Sequence, residues 1–275
     1  MQSESVCDFP VVFHNENPRP NSMIPPPEEI VRKLTPAGAP LGDPHGIFRL
    51  IRHTTSGMVS WRILTVLLLR SLAGAEVIRF EVSTPGKLPH EWSVAMTHDG
   101  APPRWEIVRD ESAPSPPNVL AQLSQDRTAG RFPLAIWDRV AILDGSVSVT
   151  FKTVDGAVDQ AAGIVWRYQD PNNYYIVRAN ALENNVVLYK VQNGVRLSIA
   201  PKGLPSRSYG VKHNIPGGHW NTLRIDFHGG LFVAFFNSEK LFETEDQTFA
   251  KPGKTGLWTK ADSVTYFDEF TVSGK

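Results

Sequence analysis

Two arginines carry the first chemical signal. Arg167 and Arg178 flank the polar run Gln169-Asp170-Pro171-Asn172-Asn173, a turn whose proline pre-sets φ. They therefore belong to adjacent strands of a hairpin. Guanidinium groups fork onto hydroxyls and aromatic rings stack on the apolar faces of sugars. Alternation puts Arg178 and Asn180 on one face with Tyr174. Arg167 lies opposite Arg178 or close to it, according to register. Trp166, Tyr168 and Tyr175 point mostly to the other face or lie at the strand ends. An inward arginine is costly unless paired or solvated. The expectation is a wet, concave sheet surface that holds a carbohydrate. The alternative is ion pairing with Asp226 or Glu269 on an ordinary exposed sheet. Trp137 is a candidate for the rim of such a groove. Trp258 either lines it or belongs to the core.

Other chemistry is thinner. Paired carboxylates can act as nucleophile and general acid when alternate strand positions put them on one face. The run Glu243-Thr244-Glu245-Asp246-Gln247 supplies two such acids. It ends in glutamine and reads as a solvated turn before Thr248-Phe249. Asp268 is a candidate ligand for Ca²⁺, which takes several oxygens, with backbone carbonyls and Asp138 or Asp144. Otherwise it satisfies neighbouring backbone amides. His90, His98, His213, His219 and His228 are scattered, without the spacing of a zinc hydrolase. There is no Gly-x-Ser-x-Gly elbow and no glycine-rich phosphate loop before a helix.

Short strands must position these groups. Ser146 to Thr153 alternates cleanly, with Val147, Val149 and Phe151 on one face. Gly163–Tyr168 and Tyr174–Asn180 follow. Asn193-Gly194 is a strong two-residue turn between Asn184–Val191 and Val195–Ile199. Trp220–Phe227 alternates, with Leu223, Ile225 and Phe227 inward. Leu231–Phe236, Lys240–Phe242, Thr255–Thr259 and Val264–Val272 complete the set. Upstream, Val77–Val82, Trp92–Thr97 and Trp105–Arg109 read as strands, and Val119–Leu123 as a turn or two of helix. The Pro-rich stretch Ser112–Pro117 carries neither signal and suits a lid across one end. The pattern predicts an all-β fold, a sandwich or barrel of antiparallel strands.

Composition bounds the rest. Among 275 residues, 28 basic and 28 acidic side chains leave no net charge, which argues against nucleic acid as a partner. A single cysteine, Cys7, rules out an internal disulfide framework. Residues 1–57 hold 9 of the 22 prolines and show no sustained period; such a segment buries too little to offset ordering entropy. Met58–Ala75 has a charged start, an apolar run Ile63–Leu69 and a small-x-small end, the layout of a secretory leader. The run is too short to span a bilayer. The reading is an upstream segment at 1–57 that is a mis-assigned start, a signal peptide at 58–75, lead-in strands at 76–125 and a sandwich at 126–275. The product is expected outside the cytoplasm, secreted or periplasmic.

Two strings then suggest a family. Ala162-Gly-Ile-Val-Trp-Arg-Tyr-Gln-Asp-Pro-Asn-Asn-Tyr-Tyr-Ile-Val-Arg178 resembles the core hairpin of concanavalin A-like (laminin-G-like) domains. Gly256-Leu-Trp-Thr-Lys-Ala-Asp-Ser-Val-Thr-Tyr-Phe-Asp-Glu-Phe-Thr-Val272 resembles their closing strand pair. Together they are similar to the bacterial secreted group labelled 3-keto-disaccharide hydrolase domain, or family 16 glycoside hydrolase-like. The resemblance implies a jelly-roll sandwich of two antiparallel sheets. It leaves activity open, because this fold hosts lectins, hydrolases and adhesion modules alike. Catalytic family 16 enzymes carry Glu-x-Asp-x-x-Glu or Glu-x-Asp-x-Glu on one strand, and neither motif occurs here. The expected function is glycan binding without an evident catalytic motif. The alternatives are a 3-keto-glycoside hydrolase and a structural or adhesion module.

Overall fold

The computed structural model describes residues 74–274. The expected upstream segment at 1–57 and most of the expected leader at 58–75 lie outside the described residues. Those described form sixteen strands and no helix. In chain order they are β1 (Glu76–Ile78), β2 (Trp92–Thr97), β3 (Trp105–Arg109), β4 (Asn118–Gln122), β5 (Phe132–Ile142), β6 (Gly145–Asp155), β7 (Ala161–Asp170) and β8 (Asn173–Asn180). Then come β9 (Asn185–Gln192), β10 (Val195–Ile199), β11 (Val211–Lys212), β12 (Asn221–His228), β13 (Leu231–Phe236), β14 (Glu239–Glu245), β15 (Gly253–Trp258) and β16 (Val264–Gly274). Because none of these is a helix, none can cross a membrane as one.

The strands form two antiparallel sheets stacked as a β-sandwich. The first has the order β14-β13-β12-β6-β16-β4-β3, with β1 also on β16. The second has the order β10-β9-β8-β7-β15-β5-β2, with β11 on β9. Alternation builds the layer between them. Val147, Val149 and Phe151 of β6 and Leu223, Ile225 and Phe227 of β12 are buried there, facing Ile164, Trp166, Tyr175 and Val177 of the second sheet. Each such side chain contributes about 1.5–3 kcal/mol through burial. Trp166 is stacked on Tyr175 and Phe227, with centroids 5.3 and 6.0 Å away.

Three local expectations are corrected. Residues 119–122 are not helical; they belong to β4, an interior strand buried along its whole length, whose short Val119-Leu120-Ala121 run lacks the alternation that marks half-exposed strands. Glu243 and Glu245 are not in a turn but end the edge strand β14. Trp137 does not rim a groove. It lies on β5, fully buried in the interlayer core against Phe270.

The stretch after β3, expected as a lid across one end, packs on the outside of the first sheet. Lys152 of β6 pairs with Asp110, Trp220 Nε1 donates to Ser112 Oγ at 3.2 Å, and Ser115 N donates to Asp268 at 2.7 Å. Asp268 stands at a bulge in β16, where Glu269 takes φ 49°. On one side of the bulge β16 pairs with β4 and on the other with β1, Glu76 facing Val272.

Candidate functional site

The second sheet curls on itself. Arg196 of edge strand β10 places its guanidinium 4.9 Å from the ring centre of Phe132, the first residue of β5. In a flat sheet those strands stand five spacings apart, roughly 24 Å, far beyond the reach of an arginine. His98, just after β2 at the other edge, closes the ring. Its Nδ1 lies 2.7 Å from the carbonyl of Gly130 and its Nε2 lies 2.7 Å from that of Gly194 in the β9–β10 turn. Thr97 Oγ1 adds a donor to Pro171 O at 2.6 Å. The face turned away from the sandwich core is thus the inside of a half-barrel.

That inside carries most of the residues expected to bind a ligand. Register places Trp258, Gly163, Arg178 and Val187 side by side across β15, β7, β8 and β9. Tyr174, Ile176, Val165, Phe132 and Trp258 form its apolar lining. Asn180 pairs with Asn185 one step along. The sequence assigned Tyr174, Arg178 and Asn180 to a shared face and left Trp258 open between that face and the core; the structure places all four on this side of the sheet. The expectation of an open, wet surface is overturned, because the curl closes over it. Arg178, Tyr174 and Trp258 are fully buried and Asn180 is nearly so.

Burial obliges Arg178 to be paired. Its Nη2 donates to Glu183 at 2.9 Å and to Asn185 Oδ1 at 2.8 Å. Asn180 donates to Asp159, which also accepts from Lys260 at 2.6 Å. Asp262 holds the neighbouring loop by accepting from the amides of Ala157, Val158 and Asp159. The partners guessed from sequence, Asp226 and Glu269, are on the other sheet. Glu183, the actual carboxylate partner of Arg178, follows β8, and Asp159, which holds Asn180 and Lys260, precedes β7, where no strand pattern marks them. Tyr189 completes the cluster. The Arg178 guanidinium lies 5.7 Å from its ring centre, and its hydroxyl is 2.5 Å from that of the half-exposed Tyr209.

Solvent reaches this cluster at Glu183, whose side chain is 38% exposed. Partial burial pushes its carboxyl up. Hydrogen bonding and charge from Arg178, with Asn185, more than offset this and hold it at about 2. A carboxyl lowered in the folded state contributes stability above its unfolded pKa, and loses it as pH falls toward the folded value. Glu183→Gln should therefore flatten the acid limb of the stability–pH profile between pH 5 and 2, read as urea midpoints at each pH. An unchanged slope would mean that the Glu183–Arg178 pair does not persist in solution.

Two expected residues lie elsewhere. At Arg167 the register of β7 against β8 shifts, and φ is 48°. The bulge throws Arg167 out of line with Arg178 and toward the sheet ends. There its guanidinium donates to the carbonyls of Leu143, Phe249 and Gly229 at 2.9, 2.9 and 2.6 Å, and to Asp144 at 3.3 Å. It floors a cleft of about 340 Å³ between those loops, with its donors already committed. Asp268 is fully buried. Burial pushes its carboxyl up, and the amides of Ser115 and Glu269 only partly offset that. Asp138 is engaged with Lys254, and Asp144 with Arg167 and Gly229. Among the described residues no three His, Cys, Asp or Glu gather as a metal-ligand group.

No protein-family model matches the chain, and no curated protein matches it either. Solved structures do. Carbohydrate binding module CBM66 from Bacillus subtilis is 17% identical, with a TM-score of 0.52 over 67% of this chain and 96% of that one. The cellulose induced protein Cip1 is 12% identical, with a TM-score of 0.51 over 73% of this chain and 97% of that one. At such identities the likeness is one of fold: a concanavalin A-like jelly-roll sandwich.

Proposed function

We propose that this chain is a secreted carbohydrate-binding module that seats a glycan at the mouth of the curled second sheet. The observation that carries this reading is the Arg178–Glu183–Asn185 cluster beside Tyr189 and Tyr209. Planar, charge-assisted groups suit pairs of hydroxyls, and tyrosine rings suit the C–H faces of a pyranose or furanose. Glu183 and Tyr209 are the members that water reaches, so they meet the ligand. Arg178 and Asn185 hold the Glu183 carboxylate in place. The shared fold with a protein named as a carbohydrate binding module adds support.

A hydrolase draws less support. Glycoside hydrolysis needs a carboxylic acid whose pKa is raised and which touches solvent. Glu243 is paired with Lys240 at 2.5 Å and its carboxyl is held below the usual range by that lysine. Glu245 is paired with Lys202. The raised carboxyl of Asp268 is sealed.

The test is a glycan array probed with the full chain, followed by titration of the best ligand. Tyr209→Ala should weaken binding about tenfold or more, by loss of a stacking ring, with the melting temperature unchanged. Tyr209→Phe should keep most of the affinity. A chain that binds no glycan, or a Tyr209→Ala variant that binds as well as the parent, would dispose of this reading.

A further inference from the structure

Arg196 has a charge without a counter-charge. It sits on β10, half-buried, with its guanidinium 4.6 Å from the ring centre of Tyr189 and 4.9 Å from that of Phe132. Its Nη1 is buried and bonds to nothing. No ion pair or side-chain hydrogen bond of Arg196 occurs among the described residues. The carboxylates of this face are spoken for: Glu183 by Arg178 and Asn185, Asp159 by Lys260 and Asn180. A second buried donor without a partner, Arg178 Nε, belongs to the guanidinium on the same tyrosine.

A guanidinium with one nitrogen withdrawn from water and its plane set against two rings is incompletely satisfied until an anion or fixed acceptors reach it. The rings fix its plane, and its fork geometry matches a carboxylate. A neutral sugar offers hydroxyls alone and would leave the charge uncompensated. We infer that Arg196 is the anion subsite of the curled face, and that the glycan bound there is acidic, carrying the carboxylate of a uronic acid. This rests on the glycan reading above and narrows its ligand class. Tyr189 links the two parts: Arg178 on its ring orients Glu183 toward hydroxyls, and Arg196 on its ring receives the carboxylate.

The experiment uses the full chain and a paired panel: oligosaccharides of galacturonate, of alginate and of hyaluronan, each beside its carboxyl-reduced form, with neutral glucans and fructans as a third arm. Affinities are measured for the parent and for Arg196→Gln, whose fold is checked by thermal melting. At least one acidic oligosaccharide should bind about tenfold or more tightly than its reduced partner, the scale of one charge-assisted fork. Arg196→Gln should erase that difference, and added salt should shrink it. Equal binding of acidic and reduced forms, binding confined to the neutral arm, or a preference that survives Arg196→Gln would each overturn the acidic subsite while leaving glycan binding intact. Binding to no member of any arm would overturn both. If Arg196→Gln fails to fold, the paired comparison on the parent chain still decides.

Discussion

Arg178→Ala should lower the unfolding free energy by about 3 kcal/mol, as measured by urea denaturation. The side chain is fully enclosed, so its removal empties space between Trp258, Gly163 and Val187. Asn185 loses its donor and Glu183 its counter-charge. Glu183 can turn to water, which keeps the loss at the lower end of the range for a broken buried pair. Arg178→Met separates the components. It refills most of the volume without the charge, and should recover part of the loss. If Arg178→Ala leaves the urea midpoint in place, the enclosed geometry is wrong and the curled face is open in solution.

The second large effect belongs to Arg167→Ala, with an expected loss of about 4 kcal/mol. This guanidinium joins the β5–β6, β12–β13 and β14–β15 loops. Arg167→Lys keeps a charge but not the fork, and should lose at least half as much. Hydrogen exchange would localise the change. The amide of Gly229, which donates to Asp144 at 2.8 Å, should lose protection in both variants, while amides of β8 and β9 keep theirs. Uniform loss of protection across the sandwich would contradict a role as a local tie.

The two arginines show where sequence reasoning works and where it stops. Alternation is a local property, so it placed Tyr174, Arg178 and Asn180 on one face correctly. It also gave the inward faces of β6 and β12. It failed at Arg167 because one bulge residue reverses the alternation, and nothing around Trp166 announces a positive φ at an arginine. It missed β5 and β4, whose buried runs lack period 2. Curl is not local at all. It arises from contacts between residues far apart in the chain, such as His98 with Gly194, so an open surface was expected where a closed one exists. Arg196 escaped notice for the same reason: on β10 alone it looks like any edge-strand arginine, and only the curl sets it against Phe132.

The pairing of the first strand with the last has a mechanical consequence. Glu76 faces Val272, Val77 faces Thr271 and Ile78 faces Phe270, so both ends of the folded unit leave from one spot. Tension applied through them opens these pairs in succession, like a zipper, instead of shearing them together. Under a stretching force β1 would peel away early, and the sheets behind it would feel the pull only afterwards. A unit tethered by both ends would yield first at its attachment and keep the curled face intact.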